Sequence, residues 1–150
     1  DNLELATVTM LKGAGDAEDC GNLIKNVWYN AIYKEKDDET DKYTRPDGYF
    51  VSDFNDALGN LFVDSSFSSK IDSIDKNQDT VNSLMKKLKN PPEEYKDAYD
   101  ALSDFYDAYL ALTGCATDPS GSLQTYSSTF NDADTDTLNA YKAMQQYLGD

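Results

Sequence analysis

The chain has 150 residues, of which 28 are acidic and 13 basic, and its formal net charge is −15. Proteins bind nucleic acids and anionic bilayers through Lys and Arg that neutralise phosphate groups, so this charge makes both poor partners. No apolar run approaches the roughly 18 residues of a membrane span, which argues against insertion of this domain into a bilayer. A chain of this length is expected to form one domain, covering residues 1–150.

The first thirty residues have the heptad spacing of a helix that buries one face. Two rows of apolar or small residues follow this spacing: Leu3, Met10, Ala17, Ile24 and Ala31 on one, and Ala6, Gly13, Cys20 and Val27 on the other. The pattern predicts a helical seam from Leu3 to about Tyr33. Glycine costs a helix about 0.8–1 kcal/mol relative to alanine, so the sequence allows a kink or break between residues 13 and 22.

The segment from Lys34 to Phe50 is predicted to be a long exposed loop. It begins with a run of charged residues over 34–41 and continues with Thr-Arg-Pro-Asp-Gly at 44–48. Pro, Asp and Gly in this order are typical of a turn.

Aromatic residues flank this turn, and they provide the candidate interaction surface. Tyr43, Tyr49 and Phe50 lie on either side of Arg45, which is the only arginine of the chain. Tyr and Arg are residue types that anchor protein interfaces. The alternative is that Tyr49 and Phe50 cover one end of the helical core.

A second helical region is predicted to begin near Ser52 or Asp53. Its apolar residues follow two successive registers: Phe54, Ala57, Leu58, Leu61 and Phe62, and then Phe67, Ile71, Ile74, Val81, Met85 and Leu88. The change of register at residues 64–66 fits two helices and one kinked helix equally well.

A third helix is predicted to start at Asn90-Pro91-Pro92-Glu93-Glu94, because proline and acidic residues are favoured in a first helical turn. Its apolar stripe comprises Tyr95, Ala98, Tyr99, Leu102, Phe105, Tyr106, Tyr109 and Leu112. Gly114 is the predicted stop.

A turn at residues 118–121 precedes the last helix, which is predicted to start as early as Ser122 and to bury a set of five large side chains. That set is Phe130, Leu138, Tyr141, Met144 and Leu148. The acidic cluster at 132–136 is expected either to cap a restart of this helix or to lie exposed.

Four amphipathic segments joined by polar turns, without runs of alternating β-branched residues, predict an all-α fold. The predicted architecture is an antiparallel four-helix bundle of the up-down type, with kinks allowed in the first and second helices.

The two cysteines, Cys20 and Cys115, belong to no local metal or redox motif. They are either a disulfide or two buried thiols, and we favour the disulfide because both lie at core-facing positions. In the chain-entropy model a bridge over roughly 95 residues contributes about 4 kcal/mol, an upper figure. A disulfide would place the protein outside the cytoplasm.

The chain contains no histidine, which excludes imidazole as a general base, Ser-His-Asp and Cys-His nucleophilic systems, and Glu-x-x-His metal ligands. The acid pairs Asp53/Asp56 and Asp100/Asp104 have helical spacing, but we expect them to be solvated and without the raised pKa of a general acid. We therefore predict no catalytic residues, no enzymatic activity and no cofactor.

Two stretches, 75–79 and 132–136, share the first three ligand positions of an EF-hand loop. In both, a threonine replaces the turn glycine and the bidentate glutamate is missing from the last position. We predict no metal site and keep weak binding of a cation at the surface as an alternative.

Five segments of the chain carry a family resemblance: residues 24–29, 90–99, 105–109, 118–123 and 130–134. They resemble a group of uncharacterised secreted or lipid-anchored helical proteins of Gram-positive bacteria. The resemblance implies a helical bundle in the cell envelope. It implies no activity, and the group offers no functional residues that could be carried over to this chain.

The predicted function is a non-enzymatic domain, extracellular or anchored at the cell surface, that engages another envelope protein or acts as a spacer. The sequence indicates no particular small-molecule ligand. The alternative is an extracellular bundle that senses a small molecule or a cation between its helices, with tyrosines such as Tyr99, Tyr106 and Tyr141 supplying hydroxyl groups.

Overall fold

The computed structural model describes residues 2–148, which are about 80% helical and contain no strand. The predicted all-α class is confirmed. The helices are α1 (Asn2–Tyr33), α2 (Asp41–Thr44), α3 (Phe54–Val63), α4 (Ser65–Leu88), α5 (Lys96–Thr117) and α6 (Leu123–Gln145), and a short 3-10 turn at Glu93–Tyr95 precedes α5. Within residues 2–148, none of the helices combines the length and apolar character needed to cross a membrane.

Helix α1 is continuous, so the kink or break that the sequence allowed between residues 13 and 22 does not occur. The reason is that Gly13 and Gly21 lie in contact with other helices. A Cβ at position 13 would lie 2.6 Å from Cγ of Asn77, and one at position 21 would lie 2.7 Å from both Cδ1 and Cζ of Phe130. These glycines allow close packing against α4 and α6, and that packing outweighs their low helix propensity.

The core follows α1, which contacts all the other helices of the described chain. It divides into two clusters. The Trp28 cluster contains Ala14, Ala17, Cys20, Ile24, Val27, Trp28 and Ala31 of α1, Phe67 and Ile74 of α4, Leu112, Cys115 and Ala116 of α5, and Tyr126, Phe130 and Ala133 of α6, with Tyr43, Ala57 and Leu61. The Met10 cluster contains Ala6 and Met10 of α1, Val81, Leu84 and Met85 of α4, Leu102, Phe105 and Tyr109 of α5, and Met144 of α6.

Trp28, the only tryptophan, fixes α3 to the rest of the core. Its ring stacks on Phe54 of α3, with the centroids 5.4 Å apart and the planes inclined by 17°, and it contacts Tyr126 of α6 at 5.5 Å. Aromatic pairs at such distances stabilise a fold beyond the area that they bury. The contacts of Trp28 thereby attach the segment that contains α2 and α3 to α1 and α6.

Asn77 sets the position of α4 against α1 and α5. Its Oδ1 accepts a hydrogen bond from the hydroxyl of Tyr109, and its Nδ2 donates to the carbonyl oxygen of Thr9 at 3.0 Å. Next to it, Gln78 Nε2 donates to Oγ1 of Thr113 at 2.8 Å. Because a partly buried amide is costly when unpaired, these bonds favour one register of the three helices.

Residues 34–50 are only partly the exposed loop that was predicted. Residues 34–39 are exposed, but Thr40, Tyr43 and Thr44 are buried. Asn30 Nδ2 donates to Oγ1 of Thr40 at 2.9 Å, and Asn60 Nδ2 donates to the carbonyl oxygen of Tyr43 at 3.0 Å. These two hydrogen bonds attach α2 to α1 and α3. The charged residues of the segment gave no indication of them.

Side-chain caps define the starts of α3, α4 and α6. Asp53 caps α3 by accepting from the amide of Asn55 at 2.8 Å, and Asp64 caps α4 by accepting from that of Phe67 at 3.1 Å. The second region is therefore two helices. Ser122 forms a capping box with Thr125 at the start of α6. The predicted stop at Gly114 is wrong, since α5 continues to Thr117.

Replacing Gly21 by alanine should destabilise the fold, because the new Cβ would overlap the buried ring of Phe130. We expect a loss of about 1–3 kcal/mol in the free energy of unfolding, measured by urea denaturation. Gly15→Ala is the matched control. Apart from the backbone of its own helix and its chain neighbours, no atom of residues 2–148 lies within 4 Å of a Cβ at that position, so this variant should be about 0.5–1 kcal/mol more stable than the wild type. Equal stability of the two variants would contradict the close packing at Gly21.

Candidate interaction surfaces

The four residues of the predicted interaction surface do not form one exposed patch. Tyr49 has 83% of its surface exposed, but Tyr43 is only 5% exposed and belongs to the Trp28 cluster. Arg45 and Phe50 are half-buried. The inclusion of Tyr43 is therefore wrong, because Tyr43 serves to pack α2 on the core.

Arg45 is engaged within its own turn. Its Nη2 donates to the carbonyl oxygen of Gly48 at 2.5 Å, its Nη1 lies 3.8 Å from a carboxylate oxygen of Asp41, and its guanidinium lies 5.4 Å from the ring centroid of Phe50. An arginine held by three local contacts loses some of them when it binds a partner. The turn is better explained as a structural unit that closes the end of α2, and Tyr49 alone of the four predicted residues is exposed.

The predicted disulfide between Cys20 and Cys115 is not formed. Both cysteines are buried free thiols, and they are not within disulfide distance of each other. They belong to the same cluster, where the hydroxyl of Tyr126 donates to the carbonyl oxygen of Cys115 at 2.7 Å. Both cysteines lie in the core, as predicted. Heptad spacing places a residue on one face of its helix, but it does not set the distance between cysteines of two helices that a disulfide requires.

Burial makes both thiols poor nucleophiles, because it disfavours the thiolate. It raises the pKa of Cys20 to about 11, and it also raises the pKa of Cys115. The same cause raises the pKa of Tyr109 and of Tyr126. None of these four groups is therefore prepared for nucleophilic or acid–base chemistry near neutral pH.

We expect the native protein to react slowly with a thiol reagent such as Ellman's reagent, because both thiols are covered. The chain denatured without reductant should show both of its cysteines as free thiols within seconds. A monomer without free thiols in the denatured state would show instead that the disulfide exists.

The structure reveals a surface groove between α1 and α6 that the sequence did not indicate. We call it the Leu138 groove. It has a volume of about 150 Å³ and is lined by Leu11, Ala14, Gly15 and Glu18 of α1, Leu112 of α5, and Asp134, Thr137, Leu138 and Tyr141 of α6. This volume is below the roughly 300–1,000 Å³ of typical small-molecule pockets.

Two leucines of the groove are exposed. Leu138 was predicted to lie in the core, but 53% of its surface is exposed, and Leu11 on the other side is 40% exposed. Leu5 and Val8 continue the apolar surface along α1, each with more than half of its surface exposed. Contiguous apolar surface, unlike single exposed apolar residues, is a feature of sites that meet another molecule.

Glu18 and Asp134 meet at the edge of the groove and share a hydrogen bond between their carboxyl groups. The bond to Asp134, together with burial and the negative charges of Asp134 and Asp19, raises the pKa of Glu18 to about 7. Two carboxyl groups can share a hydrogen bond only when one of them carries a proton. The pair is therefore protonated in the folded state at pH values where an ordinary glutamate is ionised.

The other acidic patterns named from the sequence carry no such arrangement. Asp53, Asp56, Asp100 and Asp104 are all exposed, as expected of solvated acids. The two stretches that begin like calcium loops, 75–79 and 132–136, lie inside α4 and α6. Within residues 2–148, no group of three or more Cys, Asp or Glu side chains is close enough to hold a metal ion.

The sequence contained no signal for the acid pair, because Glu18 and Asp134 lie on different helices and far apart in the chain. Leu138 follows the apolar spacing of α6, so its exposure could not be predicted from that helix alone. Only the position of α6 on α1 brings these residues to one surface.

No family model, no curated protein and no solved structure matches this chain.

The acid pair should make stability depend on pH between about pH 5 and 8. The pKa of Glu18 is about 7 in the folded state, above its ordinary value of 4.5, so the folded state holds the extra proton. The stabilisation is complete below the unfolded pKa and is lost as the pH rises through about 7. Glu18→Gln keeps a hydrogen-bond donor towards Asp134 but does not titrate. The free energy of unfolding of this variant, relative to that of the wild type, should therefore rise by about 0.5–1 kcal/mol between pH 5 and 8. The value is small because solvent screens a half-buried pair.

Asp19→Asn is the matched control, since it removes one nearby negative charge and leaves the pair in place. The free energy of unfolding of each variant and of the wild type is measured by urea denaturation at several pH values. The difference between Asp19→Asn and wild type should change much less between pH 5 and 8 than that between Glu18→Gln and wild type. Parallel pH profiles of wild type and Glu18→Gln would show that the two carboxyl groups share no proton.

Proposed function

We propose that this chain is a non-enzymatic interaction domain of the cell envelope that binds a basic, apolar segment of a partner protein in the Leu138 groove. The proposal depends mainly on one observation: Leu11 and Leu138 are exposed side by side in a groove whose charged residues are both acidic. The groove is too small for most small molecules but large enough for one or two side chains of a protein.

The proposed scaffold is an antiparallel four-helix bundle of α1, α4, α5 and α6. Along α1 and α5, early residues belong to the Met10 cluster and later ones to the Trp28 cluster, whereas along α4 and α6 the order is reversed. Helices α1 and α5 would thus run one way and α4 and α6 the other, as in an up-down bundle. Helices α2 and α3 would form an excursion between the first two long helices.

The groove favours a protein segment as occupant. A partner helix that lies along α1 and α6 could place an aliphatic side chain between Leu11 and Leu138 and continue along Leu5 and Val8. Recognition of a helix by an apolar groove follows this pattern, with anchors spaced at one turn. The exposed leucines would then exchange contact with water for contact with the partner.

Charge favours a basic partner. Glu18 and Asp134 line the groove, and the whole chain carries a net charge of −15. A Lys or Arg beside the apolar anchor of the partner would meet the acid pair and displace its shared proton. A second copy of this chain would bring a further −15 to the interface, so self-association is disfavoured.

The absence of enzymatic activity is part of the proposal. The only raised carboxyl pKa near neutrality among the described residues belongs to Glu18, at the edge of a groove that is too shallow to exclude water from a substrate. General acids work best in sites that bury the reacting bond. The chain also lacks histidine, the side chain most often used for proton transfer.

An extracellular or surface-anchored location also belongs to the proposal, and it is supported by the resemblance to secreted and lipid-anchored helical proteins. The free thiols of Cys20 and Cys115 remove the support that a disulfide would have given. Protease treatment of intact cells tests the location, because a surface domain is degraded under conditions that leave cytoplasmic proteins intact.

Site-specific photocrosslinking tests the groove. A photoreactive amino acid at position 138 or 11 should give one crosslinked protein in envelope material of the producing cells, whereas the same amino acid at the exposed position 49 should not. The crosslink should weaken with added salt, since salt screens an acidic–basic contact. Leu138→Ser should abolish binding of the identified partner and leave the unfolding midpoint nearly unchanged, because Leu138 is exposed.

Identical crosslinking patterns from positions 138 and 49, or an acidic segment in the crosslinked peptide, would contradict the proposed groove. Binding that survives Leu138→Ser would contradict it as well.

A further inference from the structure

A second concave surface lies at the start of α1, beside the connection from α4 to α5. We call it the Tyr99 cleft. It has a volume of about 360 Å³ and is lined by Asn2 and Leu3 of α1, Lys87 and Leu88 of α4, Lys89, Asn90, Pro91, Pro92 and Tyr95 of the connection, and Tyr99 of α5. It shares no lining residue with the Leu138 groove.

The connection between the two helices shapes the cleft. Asn90 has a φ of +61°, a left-handed conformation that asparagine tolerates better than most residues. Pro91 and Pro92 follow it and prevent α4 from continuing. The chain then enters α5 with Tyr99 packed, like Leu3 and Leu88, against the Met10 cluster. The floor of the cleft is therefore apolar and supported by the core.

The charge of the cleft is opposite to that of the protein. Of the 13 basic residues in the chain, four lie between positions 86 and 96, and two of these, Lys87 and Lys89, line the cleft. None of the described residues that line it is acidic, although the chain has 28 acidic residues. Concave sites with apolar walls concentrate the field of the charges that line them.

We propose that the Tyr99 cleft is a binding site for a small anionic amphiphile, a molecule that joins one carboxylate or sulfonate to an aromatic or aliphatic body. The body would pack on Leu3, Leu88 and Tyr99, and the anionic group would lie near the ammonium groups of Lys87 and Lys89. The volume falls within the range of about 300–1,000 Å³ that small-molecule sites occupy. This inference goes beyond the proposed protein interaction and does not depend on it.

The first test uses 8-anilinonaphthalene-1-sulfonate, an anionic fluorophore with an aromatic body, at low ionic strength. The folded protein should bind it at one site with a rise in fluorescence. Lys87→Gln/Lys89→Gln should weaken the binding by about three- to tenfold, the size expected for two exposed charge contacts. Lys70→Gln/Lys76→Gln is the matched control: it changes the net charge equally, at two exposed lysines of α4 outside the cleft, and should change the affinity by less than twofold.

A neutral fluorophore of similar shape, N-phenyl-1-naphthylamine, tests the role of the charge. It should bind the wild type more weakly than the sulfonate does, and the Lys87→Gln/Lys89→Gln variant should bind it as the wild type does. Decanoate, which carries a carboxylate on an aliphatic chain, should displace the sulfonate from the wild type. The unfolding midpoint of each variant, measured in parallel, establishes that the variant is folded under the conditions of the binding measurements.

The inference is overturned if the wild type does not bind the sulfonate, if both lysine pairs affect its affinity equally, or if the neutral fluorophore binds as tightly. A protein that fails this test could still bind a partner through the Leu138 groove, so the two proposals are tested separately.

Discussion

The close approach of α1 to its neighbours is the constraint on which the rest of the structure depends. α1 contacts every other described helix, and at Gly13 and Gly21 the partners Asn77 and Phe130 occupy the space of a missing Cβ. The hydrogen bonds of Asn77 then fix α4 and α5 relative to this contact. Close contact at these small residues lets the large buried side chains of neighbouring helices pack tightly in the core.

The all-helical fold and most of the core could be predicted, because both follow from apolar spacing within single helices. Met10, Ile24, Phe105 and Phe130 lie in the core as their helical spacing indicates. Errors arose where a residue depends on a second helix. The glycines of α1 suggested a weak point in the helix, because the side chains that they contact are distant in the sequence. Leu138 has the spacing of a core residue within α6, but that spacing does not show whether α1 covers its side chain.

The candidate sites were harder to predict for the same reason. Tyr43 and Arg45 are residue types that anchor protein interfaces. In this structure Tyr43 packs in the core and Arg45 donates a hydrogen bond within its own turn. Glu18 and Asp134 meet only because α1 and α6 pack together, and the Tyr99 cleft needs the start of α1 beside the turn after α4. In this acidic protein, the charged residues that line them distinguish the Leu138 groove from the Tyr99 cleft: those of the groove are acidic and those of the cleft are lysines.

The stacking of Trp28 has a consequence for how motion of this protein can be observed. The only indole of the chain is held between a ring of α3 and a ring of α6, and its Nε1 is buried without a hydrogen-bond partner among residues 2–148. Detachment of α3 would hydrate the indole and shift its emission to longer wavelength, while the Met10 cluster at the far end remains closed. The protein thus carries an intrinsic optical reporter of one local opening, separate from the loss of helix that circular dichroism records.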